Sequence, residues 1–368
     1  MSAVIATCAE PDGVEVVQRH EDAVSLPHPP LLVLDSVAAF LDTHDLGEGP
    51  VEWQRIGDGQ SNVTYLLRRG GIEMVLRRGP RPPLPRSAHD MVREARIQQL
   101  LRPEGVPVPE ILAVCEDESV LGVPFYLMEA LDGEVLTDRV PDALNASVER
   151  AATCRALVDT LLRLHAIDVA GGELARLGRP EGYLERQVRR FAGLWEVNSR
   201  RSLPEVGALA GWLGSRVPRT QGTALVHGDY RLGNLMLHRN APARVLAVLD
   251  WEMATLGDPL ADLGYLTASW SEPGVAATPL HLTPVTAGRG YVASAELAER
   301  YAAGTGLDLT PLPWYQALAL WKAAIFCEAM YTRWLAGERP GDDYAAGLGS
   351  GVPLLLERAQ AYADLASR

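Results

Sequence analysis

The sequence predicts an α+β chain folded as two lobes, and three observations carry that expectation. With 368 residues it exceeds the roughly 250–300 at which a single hydrophobic core stops growing. Between residues 51 and 128, short apolar runs alternate with turn residues, which is the texture of strands. Beyond residue 140, apolar side chains recur three and four positions apart, which is the texture of helices. A sheet-forming half therefore precedes a helical half that carries a cluster of polar residues.

In chain order, residues 1–30 are polar and rich in Pro and acidic side chains, and read as a loose arm. "LDSVAAFLDTH" (34–44) reads as a short helix with Asp35 as its N-cap. "VEWQRI", "NVTYLLRR" and "IEMVLRR" read as three strands of an antiparallel meander, joined by "GDGQS" and "GG". "AHDMVREARIQQLLRPEG" (88–105) is a helix, and "VPVPEILAVCED" and "VPFYLMEAL" are two further strands. Residues 31–128 thus form the first lobe, 129–133 a hinge, and 134–368 the second. There "NASVERAATCRALVDTLLRLHAID", "EGYLERQVRRFAGLWEVN" and "LPEVGALAGWLGSRV" are helices, and "ARVLAVLDWE" (243–252) is a strand running into its last acids. Everything after Pro259 is mainly helical, and no internal repeat is present.

Composition narrows the function. A formal net charge of −13 and a pI near 5.1 leave no basic surface for a phosphate backbone, so nucleic acid is not an expected partner. No stretch approaches the roughly 20 apolar residues that span a bilayer, and the N-terminus lacks a basic segment followed by an apolar one. Cys8, Cys115, Cys154 and Cys327 are scattered without a C-x-x-C pair, so neither a zinc site nor a disulfide framework is expected. A cytoplasmic location is the resulting expectation.

The chemistry concentrates in "LVHGDYRLGNLMLH" (225–238), an apolar stretch whose centre holds His227, Asp229, Arg231 and Asn234. Burying such groups without partners costs several kcal/mol, so the fold must have a use for them. Asn234 follows Asp229 by five positions, and Asp250 closes the apolar run "VLAVLD" sixteen positions later. Paired as a hairpin, the two apolar segments bring Asn234 and Asp250 together at its open end. An amide oxygen and a carboxylate are hard ligands that suit Mg²⁺, which fills its shell with phosphates and water. Asp229 is then a carboxylate beside the metal, free to accept a hydroxyl proton. H-x-D-x-x-x-x-N followed by an Asp after a strand is the kinase pattern, with "DWE" where protein kinases carry D-F-G.

"LVHGDYRLGNLMLH", "VLAVLDWEMATLGDPLADLGYL" and "GDGQSNVTYLL" resemble the aminoglycoside phosphotransferase and choline kinase-like superfamily. "LRRGPRPPLPRSAHDMVREARIQQL", "GYLERQVRRFAGLWE" and "WKAAIFCEAMYTRWLAGE" resemble its branch related to the kinase domain attached to some acyl-CoA dehydrogenases. The resemblance covers roughly residues 30–340 and implies a protein-kinase-like fold, ATP with Mg²⁺ as cofactors, and phosphorylation of a small-molecule hydroxyl. It implies that Asp229 is the catalytic base and that Asn234 and Asp250 are the metal ligands. Gly57, Gly59, Ser61 and Asn62 fall in the phosphate-covering loop. Glu94 matches the acid that pairs with a strand cation, and here that cation is Arg77 where V-A-I-K places lysine. Asp258 and Asp262 of "GDPLAD" match a motif supporting the catalytic loop. Main-chain groups of Met128, Glu129 and Ala130 would meet adenine at the lobe junction.

Blander readings stand beside these. His227 is either a core histidine or a residue orienting the catalytic loop, and Arg231 either anchors phosphate or pairs with a neighbouring acid. Glu94 alone is a solvated helix charge, His165 a cap or packing residue, and Cys327 a buried thiol. Because side chains alternate along a strand, only one of Arg77 and Arg78 faces the nucleotide; the resemblance favours Arg77, with Arg78→Ala nearly silent. The basic residues of "ERQVRRF" and "NSRRS", with the branch resemblance, tilt the acceptor toward a hydroxy acid or hydroxyacyl group. The alternatives are an aminoglycoside-type antibiotic phosphotransferase and a nucleotide-binding pseudokinase acting as a regulatory module. A metal-dependent phosphohydrolase ranks last, since two-metal sites need several His and Asp ligands.

Overall fold

Val14, Val16 and Val17 are apolar residues in the midst of a polar stretch, and they fold as a strand rather than trailing as an arm. In the computed structural model, which describes residues 4–7, 13–57, 62–82, 89–338 and 341–367, strand β1 (Val4–Thr7) pairs antiparallel with β2 (Val14–Val17). Strand β2 pairs parallel with β3 (Leu32–Val33). Val16 and Val17 are fully buried, and the Glu15 carboxylate accepts from the Tyr65 hydroxyl at 2.7 Å and from Arg55 at 3.0 Å. The expectation of a loose arm is thereby corrected for residues 13–30, while residues 1–3 and 8–12 lie outside the described residues. Helix α1 (His20–Val24) and helix α2 (Leu34–Asp42) flank β3. Helix α2 starts two residues earlier than the sequence suggests: Val33 occupies the N-cap, and Asp35 instead accepts the N–H of His20 at 2.9 Å.

The chain divides into two compact units, residues 1–103 with 108–131 and residues 104–107 with 132–368. In the first, β4 (Glu52–Ile56), β5 (Val63–Arg69), β6 (Ile72–Arg78), β7 (Ile111–Cys115) and β8 (Phe125–Glu129) form an antiparallel sheet in the order β4-β5-β6-β8-β7. Gly70 and Gly71, at φ +55° and +83°, make the tight β5–β6 turn that "GG" predicts. Tyr65, Leu67, Met74 and Leu76 point from the sheet into the core, which also takes Val37 and Leu41 of α2. Helix α3 (Met91–Leu101) begins at Asp90, whose carboxylate caps the Arg93 N–H at 2.9 Å, and α4 (Glu118–Leu121) precedes β8.

In the second unit, strand β9 (Gly133–Val135) leads to α5 (Ser147–His165), α6 (Tyr183–Asn198) and α7 (Pro204–Ser215). Strand β10 (Ala224–Val226) precedes β11 (Leu235–His238), β12 (Val245–Val248) and β13 (Thr255–Gly257). Strands β12, β11 and β9 form one small antiparallel sheet, and β10 pairs with β13. Helices α8 (Leu260–Ala268), α9 (Ser294–Thr305), α10 (Leu312–Leu335) and α11 (Asp343–Leu365) complete the unit, with α10 packed on α6, α8 and α11. A Cβ at Gly264 would lie 2.5 Å from that of Tyr315, so glycine is what lets α8 and α10 approach. Strand β12 ends at Val248, earlier than the predicted run to the last acids, because Asp250 turns into left-handed backbone at φ +67°. Among the described residues no helix is long and apolar enough to cross a membrane.

Candidate active site

The loop between β10 and β11 is fixed from below by one buried carboxylate. Asp262, in the first turn of α8, accepts the N–H of His227 through Oδ2 at 2.7 Å and the N–H of Gly228 through Oδ1 at 2.8 Å. Gly228 sits at φ +86°, and a Cβ there would meet that of Met253 at 2.9 Å, so the loop requires glycine. Burial would push the Asp262 carboxyl up, but the bond from His165, the neighbouring histidines and the Gly228 N–H hold it below the usual carboxylate range. His165 Nε2 lies 3.1 Å from Asp262 Oδ2 while its Nδ1 meets the Tyr301 hydroxyl at 2.7 Å, so this histidine is a link in the support rather than a cap. Asp258 accepts from Thr220 at 2.6 Å, from the Tyr315 hydroxyl at 2.9 Å and from the Leu260 N–H at 3.0 Å. Both aspartates of "GDPLAD" are therefore fully used inside the unit.

His227 is wholly buried. Its Nε2 meets the Leu249 carbonyl at 2.9 Å and its Nδ1 accepts the Asp229 N–H at 3.3 Å, with the ring packed 4.8 Å from Trp251. A neutral ring donating from Nε2 satisfies both contacts, so the residue orients the loop. The Tyr230 hydroxyl donates to the Leu157 carbonyl at 2.7 Å and ties the same loop to α5.

Above this support the polar residues converge. Asn234 Nδ2 donates to both the Asp229 carbonyl and Asp229 Oδ2, each at 2.8 Å, which turns its amide oxygen away from that carboxylate. The Leu249 N–H donates to the Asn234 carbonyl at 2.8 Å, which extends the β11–β12 pairing by one position and leaves Asp250 one residue beyond it. Asp229 Oδ1 lies 3.4 Å from Arg231 Nε, and neither atom makes a hydrogen bond to the described residues. Tyr265 of α8 is the next neighbour: burial first, then the Asp229 charge, pushes its phenol well above the ordinary range. Arg231 thus pairs with the acid beside it.

The first unit carries the other predicted residues. Arg77 Nε lies 3.1 Å from Glu94 Oε1, and Glu94 is buried, so the pair forms as expected with arginine in place of lysine. Arg78 faces the core with Met74 and Leu76, donating to the carbonyls of Leu31 at 2.5 Å, Gly79 at 2.9 Å and Leu121 at 3.2 Å. Arg78 thus turns away from the Arg77–Glu94 face, and its removal would leave those main-chain carbonyls without their donor. Asn62 is buried with Oδ1 at 2.8 Å from His89 Nδ1, and burial followed by the Arg77 charge pulls the His89 imidazole down. Gly57 takes left-handed backbone at φ +73° just after β4, whereas Gly59 and Ser61 lie outside the described residues. Met128 and Glu129 end β8 and Ala130 follows it; the Glu129 carboxylate accepts from the Glu110 N–H at 2.8 Å and from Arg102 at 3.1 Å.

Three contributors escaped the sequence reading: His165, Tyr265 and His89. Each acts through tertiary contacts, and only the helical position of Tyr265, three residues after Asp262, carried any signal. Two of the basic residues invoked for the acceptor are consumed locally. Arg201 is held by Glu328 through three bonds and lies over the Tyr331 ring at 4.6 Å, and Arg186 donates to the carbonyls of Glu181 and Arg179. Cys327 is buried, and burial pushes its thiol up to about 11.

An antiparallel five-stranded sheet with one main helix, followed by a helical unit whose H-x-D loop meets an Asn and an Asp, defines the kinase-like phosphotransferases. This chain belongs to the phosphotransferase enzyme family, which it matches over residues 52–321. It is 36% identical over 308 residues to mouse acyl-CoA dehydrogenase family member 10, covering 81% of this chain and 28% of that protein. With rat acyl-CoA dehydrogenase family member 11 it shares 32% over 341 residues, covering 90% and 42%. The chain thus spans less than half the length of these relatives. Among solved structures, a Ralstonia eutropha protein described provisionally as an aminoglycoside phosphotransferase superposes with a TM-score of 0.74 at 31% identity, covering 90% of this chain and 98% of that one. The aminoglycoside phosphotransferase APH(4)-Ia, in ternary complex with AMP-PNP and hygromycin B, shares the fold at a TM-score of 0.56 and 17% identity, covering 88% and 98%.

Proposed function

We propose that the chain transfers the γ-phosphoryl group of ATP, with Mg²⁺, to a hydroxyl of a small hydroxy acid or hydroxyacyl compound. The observation that carries this reading is Asp229: an acid fixed by Asn234 through one oxygen, while the other makes no hydrogen bond to the described residues and lies 3.4 Å from Arg231 Nε. The acceptor oxygen attacks the γ-phosphorus, the bond to the β,γ-bridging oxygen breaks, and the hydroxyl proton passes to Asp229. Arg231 lies beside that carboxylate. Asn234 and Asp250 suit a hard divalent cation, since one supplies a carboxylate and the other an amide oxygen whose partner nitrogen is already engaged. When bound, Mg²⁺ neutralises phosphate charge as it develops. Arg77, oriented by Glu94, serves the phosphates together with the loop of Gly57, Gly59, Ser61 and Asn62; main-chain groups of Met128, Glu129 and Ala130 serve adenine.

The AMP-PNP complex of the structural neighbour supports a nucleoside triphosphate as donor, and the acyl-CoA dehydrogenase names of the relatives support an acyl-type acceptor. The hygromycin B complex favours a second reading, an aminoglycoside acceptor. Retention of Asp229, Asn234 and Asp250 together speaks against a pseudokinase, which needs no base. ADP release measured across a library of hydroxy acids, hydroxyacyl thioesters and aminoglycosides separates these readings. With the best acceptor, Asp229→Asn should lower turnover by about 10²–10⁴-fold while ATP affinity changes little. Near-normal turnover of that variant would sink the assignment.

A further inference from the structure

Lys322, on α10, is the unusual cation of the second unit. Its ammonium nitrogen lies 4.7 Å from the centre of the Phe191 ring on α6, and among the described residues it makes no ion pair and no hydrogen bond. Nearby interior cations are treated otherwise: Arg201 is saturated by Glu328, and Arg231 lies against Asp229. Holding an ammonium in such surroundings is costly, and burial draws Lys322 down to about 8. The charges facing it are Asp262 from α8, Arg190 from α6 and Asp229 from the catalytic loop. Asp262 and Asp229 favour the charge and Arg190 opposes it, but none of the three forms an ion pair with it, since Asp262 is bonded by His165, His227 and Gly228, and Asp229 by Asn234.

One turn further along α10, Phe326 is 45% exposed and meets the same Phe191 ring edge-on at 5.0 Å. Residues four apart share a helix face. That face therefore presents a half-buried cation with no ion pair beside the exposed edge of Phe326, and the Asp229 charge reaches it. A polycation would be repelled there, whereas an anion on an apolar chain matches both features.

Resting on the phosphotransfer reading above, we propose that Lys322 is a specificity-determining residue of the acceptor site. Its ammonium takes the anionic group of the acceptor, and the exposed Phe326 ring, backed by buried Phe191, takes the adjoining apolar chain. The test uses hexanoate and hexanamide as non-reacting probes, titrated calorimetrically into the full chain at pH 7. The native protein should bind hexanoate at least tenfold more tightly than hexanamide. Lys322→Met should erase that preference, Lys322→Arg should keep most of it, and it should fade in the native protein as pH rises through about 8. Equal binding of the two probes by the native protein, no binding of hexanoate, or a preference that survives Lys322→Met would each overturn the assignment. The readout needs no turnover, so failure of the Lys322 assignment and failure of the phosphotransfer reading are told apart.

Discussion

Arg78 donates to main-chain carbonyls from a position with no solvent exposure, while its neighbour Arg77 reaches Glu94 from the other face of β6. Alternation along the strand told the sequence reader that only one could face the nucleotide. It did not tell which, since "MVLRR" is apolar in both registers. Pairing settles it: Met74, Leu76 and Arg78 lie on the core face. Two lysine substitutions should therefore behave differently. Arg77→Lys keeps a charge opposite Glu94 and loses only the planar fork, so nucleotide affinity should fall severalfold with little change in melting temperature. Arg78→Lys cannot serve carbonyls in several directions, and should lose about 2–4 kcal/mol of stability in urea titrations. Lys322 makes the opposite prediction. Its folded-state value, lowered from 10.5 to about 8, means that the unfolded chain binds more protons between those pH values. Stability then rises with pH across that window, and the penalty is fully present below it. Lys322→Met should gain about 1–3 kcal/mol at pH 7, a gain that closes as pH approaches 10.5.

Helix α8 shows what was legible at the scale of an element and what was not. "GDPLAD" announced a Pro-led helix start with acids in its first turn, and its support of the loop followed from the resemblance. That Asp262 grips two successive N–H groups, with His165 behind it, depends on α5 and α8 meeting, which no local pattern encodes. The same holds at the end of β12, where apolar residues read as a longer strand but Asp250 adopts left-handed backbone. Such a conformation is tolerable for Asp and common at functional sites. Asp262→Asn places an amide NH₂ against existing donors, so turnover should fall at least tenfold with ATP KM nearly unchanged, as expected of a positioning residue. The carboxyl of Asp262 lies below its ordinary 3.8 in the folded protein. Its stabilising contribution is therefore complete above about pH 4 and is lost as pH falls through the lower folded value. The stability gap between native and Asp262→Asn proteins should stay constant from pH 7 to 5 and narrow only in stronger acid.

For the whole molecule, the five strands of the first unit and the helical half could be read because their periodicities are local. The first thirty residues could not, because their composition is that of an arm while their apolar minority is what the fold uses. Val16 and Val17 enter the same core as Tyr65, Leu76 and Phe125, and Glu15 closes a buried bond to Tyr65. Arg81 donates to the carbonyls of Pro29 at 2.6 Å and Val14 at 2.8 Å, binding the segment to the loop after β6. Removing residues 1–30 would take two buried valines out of the core, each worth about 1.5–3 kcal/mol. It would also strand the Tyr65 hydroxyl and take away two acceptors of Arg81. The sum approaches the 5–15 kcal/mol that holds a typical domain together. The truncated chain should therefore melt at least ten degrees lower, with amide exchange accelerated across β5 and β6 and little altered in α8 and α10, whose unit lacks these contacts. An unchanged melting temperature would restore the loose arm that the composition suggests.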